Sequence, residues 1–193
     1  MPELRIFGYG SLIYEPELPD ALLDRTPARW LGVRRSFNKT STGRGCLLSE
    51  SSAPMVPGFV LDNRRLSLVL GNEPGDGIDG FVLRYPEAAA DRVLALVNRR
   101  EGTDYISTAI RVTLHNGQQV AATTWKTNTK CASYLGDLPI GDAAAILAHA
   151  TPDQPGARAR GVAYLEQLRV ALAGAGLQDD YLDRLSLAIK ALT

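Results

Sequence analysis

The chain has 193 residues, of which 45% are hydrophobic, so it is the size of one ordinary domain with enough apolar residues for a core. Its 21 basic and 21 acidic side chains cancel to zero net charge, which excludes a global electrostatic attraction to nucleic acid or to an anionic membrane. We therefore expect a single domain over residues 1–193 that recognises any charged ligand locally.

Signals for targeting, disulfides and metals are lacking in the sequence. No apolar run approaches the roughly 20 residues that span a bilayer, and the N-terminal sequence MPE does not resemble a secretory signal. We therefore expect a cytoplasmic protein. Cys46 and Cys131 are far apart and outside any CxxC pattern, which predicts buried, inert thiols rather than a disulfide or a zinc site. His115 and His149 also lack metal-ligand spacing, so we expect no metal in the reaction.

Strand patterns fill most of the first two-thirds of the chain. Apolar or β-branched runs between turn signals predict strands at Leu4–Phe7, Arg29–Phe37, Phe59–Leu61, Leu66–Leu70 and Gly80–Tyr85. A hairpin turn is predicted at Asp62-Asn63. Pro86 suits the start of a helix, and apolar residues at spacings of three and four predict an amphipathic helix over Glu87–Arg100.

The rest of the chain changes from strands to helices. Strands are predicted at Tyr105–Leu114 and Gln119–Lys126, joined by a hairpin turn at His115-Asn116-Gly117. After Pro139, helical spacing predicts three helices with the apolar stripes Ile140, Ala143, Leu147; Val162, Leu165, Leu168, Leu172; and Leu182, Leu185, Ile189, Leu192. Loops are predicted at Ser41–Pro57, Asn72–Asp79 and Thr151–Gly156. This order predicts an α+β fold, a mixed sheet or small barrel wrapped by helices, with a helical C-terminal third.

The first predicted strand ends in a loop with two glycines, Gly8-Tyr9-Gly10-Ser11-Leu12. Glycine permits a tight turn with φ > 0. Because glycine has no side chain, the main chain at such a position can also approach a ligand closely and point N–H groups at an anion. The sequence contains no GxSxG elbow, GxxxxGK[ST] phosphate loop or HExxH pattern, so this loop is one of two candidate sites for chemistry.

The other candidate is Glu101, which stands where the predicted helix ends. The helix dipole favours cations at a C-terminus, so Arg99 and Arg100 suit this position and Glu101 does not. The residues alone leave two interpretations open, a surface glutamate that is solvated or paired with an arginine, or a functional acid. In the first, Gly102 is only the residue that ends the helix.

Four short motifs are distributed along almost the whole chain. They are Tyr9-Gly10-Ser11-Leu12, Arg35-Ser36-Phe37, Arg100-Glu101 shortly before Tyr105, and Ser133-Tyr134-Leu135-Gly136. Their order and approximate spacing resemble the γ-glutamylcyclotransferase superfamily, and within it the ChaC-like proteins that degrade glutathione. The sequence after Arg44-Gly45-Cys46 departs from the family's usual continuation, and the predicted loop at Asn72–Asp79 is longer than expected. The resemblance therefore implies the cyclisation and leaves the substrate open between glutathione and another γ-glutamyl compound.

The resemblance implies a role for seven residues. The loop would hold the γ-glutamyl moiety, largely through backbone groups, which nominates Tyr9, Gly10, Ser11 and Leu12. Glu101 would be the general acid and base, Tyr134 would lie near the substrate, and Arg35 would support substrate binding. The structural alternatives are a helix-entry aromatic for Tyr134 and a strand-surface charge for Arg35, and we expect Tyr105 to pack rather than react.

The implied reaction needs no nucleophile or cofactor from the protein. The α-amine of the γ-glutamyl group attacks its own γ-carbonyl, which forms 5-oxoproline and expels the attached amine. One carboxylate can accept the amine proton and return it to the leaving nitrogen, if burial raises its pKa toward working pH. The alternatives are a cyclotransferase for γ-glutamyl-amines or another γ-glutamyl amide, and a non-catalytic module that binds an amino-acid-like ligand. We expect a monomer or a weak homodimer.

Overall fold

Five strands form a closed barrel in the computed structural model of the protein, which describes residues 3–41, 67–149 and 161–192. The described residues contain seven strands in all, which are β1 (Glu3–Gly8), β2 (Asp24–Trp30), β3 (Val33–Ser41), β4 (Ser67–Pro74), β5 (Ile78–Pro86), β6 (Tyr105–Leu114) and β7 (Gln119–Thr127). The helices are α1 (Glu87–Glu101), α2 (Ile140–His149), α3 (Gly161–Ala173) and α4 (Asp180–Lys190). The barrel order is β1-β5-β2-β6-β7, and β3 and β4 form a separate two-stranded sheet.

A parallel contact closes the barrel. β1 pairs antiparallel with β5, and its other edge meets β7 in parallel register at Ile6 and Thr123. The separate sheet is antiparallel and has a register shift between Phe37 and Lys39. Such a bulge changes the direction of the following side chains, and Phe37, Asn38 and Lys39 are all fully buried. The fold therefore places a lysine in the interior.

The helices form where the apolar spacing predicts them. α1 follows Pro86, and Gly102 ends it in the left-handed region with φ 59°. In α4, the side chain of Asp179 accepts a hydrogen bond from the Leu182 N–H at 3.0 Å and so caps the helix. None of the helices in the described ranges combines the length and the apolarity needed to cross a membrane. Leu192 differs from the prediction, because it lies beyond α4 and is exposed.

Two predicted segments are wrong in their boundaries. Arg29–Phe37 is not one strand, because Gly32 adopts φ 81° and turns the chain from β2 in the barrel into β3 in the other sheet. Asn72–Asp79 is not a long loop. Its first residues pair with β3 and its last belong to β5, which leaves only Gly75–Gly77 as a turn. Pairing with distant strands overrides the turn-forming composition.

Other predictions fall on residues that the structure does not describe. They are the strand at Phe59–Leu61, the turn at Asp62-Asn63, the loop at Ser41–Pro57 beyond its first residue, the loop at Thr151–Gly156, and the burial of Cys46. The second cysteine, Cys131, is a free thiol of intermediate exposure. The predicted burial is therefore wrong for Cys131, and its inertness stays a prediction.

We predict that Gly80→Ala destabilises the barrel. A Cβ atom at this β5 position would lie 2.4 Å from the carbonyl oxygen of Gly8 at the end of β1, and main chain cannot move aside as a side-chain end can. Overpacking of this kind costs roughly 1–3 kcal/mol. Gly141→Ala in α2 is the matched control, because its Cβ would meet no described atom within 4 Å. Urea unfolding should show a loss for the first variant only, and equal stabilities would contradict the steric argument.

Candidate active site

A cavity of about 110 Å³ lies where the loop after β1 meets the end of α1. This is several times the roughly 10–15 Å³ that a cavity needs in order to hold one water molecule. Five of the seven sequence-predicted residues line it, namely Tyr9, Gly10, Ser11, Leu12 and Glu101. The structure therefore brings the loop motif and the candidate acid, about ninety residues apart in sequence, into one site.

The loop after β1 turns sharply through a short 3₁₀ segment at Ser11–Ile13. The Ile13 N–H donates to the Gly10 carbonyl at 3.0 Å, and the Glu15 N–H donates to the Ser11 carbonyl at 2.8 Å. Gly10 has φ −121°, so a left-handed turn does not explain this glycine. A Cβ atom here would lie 3.1 Å from the hydroxyl oxygen of Tyr164 on α3, so the tyrosine would have to shift by a few tenths of an ångström. Glycine therefore allows the main chain and Tyr164 to approach each other closely.

Tyr9 contributes a buried phenol that supports the loop. Its hydroxyl donates to the Trp125 carbonyl at 2.7 Å and accepts from the Asn72 side chain at 2.7 Å. Burial raises the pKa of the Tyr9 phenol far above its ordinary value, and the negative charge of Glu101 adds to that shift. The phenol is therefore neutral at working pH and fixes the loop against β7 and β4.

Arg35 lies behind the loop rather than in the cavity wall. Its side chain has no exposed surface, and its Nε donates to the Tyr9 carbonyl at 3.0 Å. The remaining nitrogens donate to the Asp79 carbonyl and pair with the Asp179 carboxylate. The alternative of a strand-surface charge is wrong. The geometry favours a residue that positions the loop over one that touches the substrate, and the supporting role in substrate binding that the resemblance implies stays a prediction.

Tyr134 also lies outside the described wall of the cavity. Its hydroxyl donates to Glu73 Oε1 at 2.8 Å, and this hydrogen bond raises the pKa of Tyr134 to about 12. Its main chain forms an isolated bridge with Lys39. Since α2 begins only at Ile140, Tyr134 is not a helix-entry residue either. Its contacts join the second sheet to the segment before α2.

Arg100 connects the loop to the end of α1. Its guanidinium donates to Ser11 Oγ at 2.7 Å, to the Glu15 carbonyl at 2.8 Å and to Glu17 Oε1 at 2.9 Å. Its Nε lies 3.8 Å from Glu101 Oε1 and has no hydrogen-bond partner among the described residues. The Arg100 side chain is only 4% exposed and that of Glu101 17%. Arg100 thus hydrogen-bonds the loop to the end of α1, one residue before Glu101.

Several wall residues have no clear signal in the sequence. Tyr105 is expected only to pack, yet it lines the cavity while its hydroxyl donates to the Leu70 carbonyl at 2.6 Å. Asp104 and Tyr164 line the cavity too. The position of Tyr164 in the α3 pattern shows only that it is near the core. Its approach to the loop depends on the packing of α3 against a turn some 150 residues earlier in the chain.

We predict that Asp179→Asn destabilises the protein through Arg35. The amide keeps an oxygen for the α4 cap but removes the anion that balances a fully buried guanidinium. Removing one partner of a buried ion pair costs roughly 3–5 kcal/mol. Asp137→Asn is the matched control, because it breaks the neighbouring Arg34 pair at an exposed position, where such pairs contribute about 0–1 kcal/mol. Similar urea midpoints for the two variants would contradict the role given to Arg35.

Comparison with known proteins agrees with the motifs. The sequence profile of the ChaC-like protein family matches residues 4–192. The chain is 28% identical over 190 residues to the glutathione-specific γ-glutamylcyclotransferase of Escherichia coli (strain K12), covering 97% of this chain and 73% of that protein. The fold is similar to that of a γ-glutamyl cyclotransferase specific to glutathione from yeast, with a TM-score of 0.77 at 19% identity over 99% of this chain and 97% of that one. A further solved γ-glutamyl cyclotransferase gives a TM-score of 0.51 at 13% identity over 95% and 86%. The chain therefore belongs to the ChaC-like family.

Proposed function

We propose that this protein is a γ-glutamylcyclotransferase that converts the γ-glutamyl group of glutathione, or of a related γ-glutamyl peptide, into 5-oxoproline. The attached amine is released, which from glutathione is Cys-Gly. The observation that carries the proposal is the single cavity shared by the Tyr9–Leu12 loop and Glu101. Membership of the ChaC-like family and the named activity of the Escherichia coli relative support it.

The loop supplies orientation in this proposal. Gly10, Ser11 and Leu12 lie in the cavity wall, where their main chain can approach the α-carboxylate of a γ-glutamyl group and donate N–H hydrogen bonds. Binding in this way folds the substrate so that its α-amine reaches the γ-carbonyl. Orientation of two reacting groups can contribute roughly 7–11 kcal/mol to lowering a barrier. A bond then forms between the amine nitrogen and the γ-carbon, and the γ-carbon to leaving-nitrogen bond breaks.

Glu101 carries the proton between the two nitrogens. The substrate amine has a reference pKa of about 8, so it enters mostly protonated and must lose a proton before it attacks. The carboxylate accepts that proton and then returns it to the departing nitrogen. The attacking nitrogen loses a second proton as the ring closes, and the released amine takes it up to become an ammonium group. Its position in the last turn of α1, 3.8 Å from Arg100 Nε, keeps it at the cavity wall throughout. The protein forms no covalent bond to the substrate.

We predict that Glu101→Gln abolishes turnover without loss of folding or binding. The amide keeps the shape of the side chain and removes proton transfer, whose contribution is typically of order 10²–10⁴ in rate. Glu87→Gln, at the exposed N-terminal end of the same helix, is the matched control and should behave as wild type. A Glu101→Gln rate above about a tenth of wild type, a barrier change under roughly 1.4 kcal/mol, would exclude Glu101 as the acid and base.

We also predict that a free α-amine is essential in the substrate. Acetylation removes the nucleophilic lone pair while leaving the scissile bond unchanged, so an N-acetyl-γ-glutamyl dipeptide should survive. The α-glutamyl isomer should survive too, because its amine can reach only a free carboxylate. The measurement follows 5-oxoproline and free amine from the γ-glutamyl, N-acetyl-γ-glutamyl and α-glutamyl versions of one dipeptide.

The products distinguish the alternatives to this reaction. Release of glutamate, or cleavage of the acetylated compound, would indicate a hydrolase that activates water. Binding without any product would indicate the non-catalytic module. The same assay with γ-glutamyl-amines beside glutathione separates the two classes of cyclotransferase substrate.

The proposal needs a small γ-glutamyl substrate and no nucleic-acid or membrane partner. A cytoplasmic location, and a monomeric or weakly dimeric state, stay predictions from the sequence. The absence of a metal and of a cofactor from the reaction is also a prediction, which activity after exhaustive chelation would check.

A further inference from the structure

Lys39 is a buried lysine directly behind the cavity wall. It follows the register shift in β3, and its side chain has no exposed surface. Its Nζ lies 3.6 Å from the centroid of the Tyr105 ring, donates to the Asp104 carbonyl, and is 3.7 Å from Asp104 Oδ2. A buried ammonium group is costly unless it is paired. The ring face, the carbonyl and the carboxylate together provide that pairing.

The residues that Lys39 contacts follow Glu101 closely in sequence. The 3₁₀ turn at Gly102–Asp104 connects α1 to β6, which begins at Tyr105. Asp104 and Tyr105 both line the cavity together with Glu101. Lys39 therefore contacts the segment that directly follows Glu101, from the side of the wall that faces away from the cavity.

The charge of Lys39 also acts on the site. Burial lowers the pKa of the Lys39 ammonium, while the negative charges of the Asp104 and Glu101 carboxylates oppose that shift, as would the Cys131 thiol on ionising. These groups face Lys39 from the turn after α1, from the segment after β7 and from α1, and the Tyr105 ring faces it from β6. The interaction with Glu101 is reciprocal. A carboxylate that stabilises a cation is itself stabilised in its ionised form by the same amount.

We infer that Lys39 is a positioning residue for the cyclisation, which holds Asp104 and Tyr105 in the cavity wall and places a buried cation directly behind the wall that contains Glu101. The inference rests on the proposed function, because it assigns Lys39 an effect on the acid of that reaction. Lys39 lies outside the described cavity wall, so it acts through its neighbours and not by touching substrate.

The experiment replaces Lys39 by neutral residues and measures pH profiles. Lys39→Met and Lys39→Gln remove the charge at similar side-chain length. The Asp104 carbonyl stays paired in both, because the Asn128 N–H also donates to it at 3.0 Å. The acidic limb of kcat/KM, where the carboxylate gains its proton, should move to higher pH by roughly 0.5–1.5 units when a nearby cation is removed. At pH values well above the acidic limb, KM should change little. At the low-pH end of the limb, kcat should fall by a much larger factor.

Two further variants separate charge from packing. Lys39→Arg keeps the cation, so its acidic limb should stay at the wild-type pH even if the larger side chain lowers the rate. Lys126→Met is the matched control, because Lys126 also lies over an aromatic ring, 5.4 Å from the centroid of Trp30, and is not among the residues that line the cavity. It should leave the limb unchanged.

The outcomes distinguish this inference from the proposed function. If wild type releases no 5-oxoproline from glutathione or γ-glutamyl dipeptides, the proposed function fails and the role of Lys39 fails with it. If wild type is active and both neutral variants lose rate equally at every pH, Lys39 is only structural and the inference alone is overturned. Failure of both neutral variants to fold, or an equal limb shift in Lys126→Met, would overturn it as well.

Discussion

The buried guanidinium of Arg35 is the constraint on which the rest of the site depends. A charged group that is buried away from water must be paired and hydrogen-bonded, or it destabilises the fold by several kcal/mol. Its acceptors are the Tyr9 carbonyl, the Asp79 carbonyl and the Asp179 carboxylate, which belong to the loop after β1, to β5 and to the cap of α4. The barrel, the second sheet and the C-terminal helices must therefore meet at one point, and the candidate substrate-binding loop takes its shape there.

The same physical device recurs around the cavity. Arg35 holds Tyr9, Arg100 holds Ser11, and Lys39 holds the segment after Glu101, and each cation is almost fully buried. The chain as a whole has no net charge, so its charges act locally. Cations packed behind a wall fix the wall without occupying the cavity. Such fixed geometry is what a reaction needs when the substrate supplies its own nucleophile and the protein contributes mainly orientation.

Local spacing predicts much of this structure, and long-range contacts account for what it misses. The pattern over Glu87–Arg100 predicts α1 to within one residue, and the strands β6 and β7 with their hairpin also follow from alternation and turn residues. The division of Arg29–Phe37 does not, because it depends on which sheet each half joins. The role of Arg35 likewise depends on Asp179, a residue 144 positions away. Motif order locates the loop and Glu101, but no periodicity indicates that α3 brings Tyr164 to them.

The position of Glu101 shows how the fold combines two opposing influences on one carboxylate. It is the last residue of α1, where the helix dipole disfavours an anion by typically 0.3–1 kcal/mol. The cations around it act in the opposite direction, because Arg100 Nε lies 3.8 Å from Glu101 Oε1 and Lys39 is buried behind the same wall. The chain therefore ends α1 with a carboxylate that two cations support at the cavity wall, which is where the proposed cyclisation needs a group to carry protons between two nitrogens.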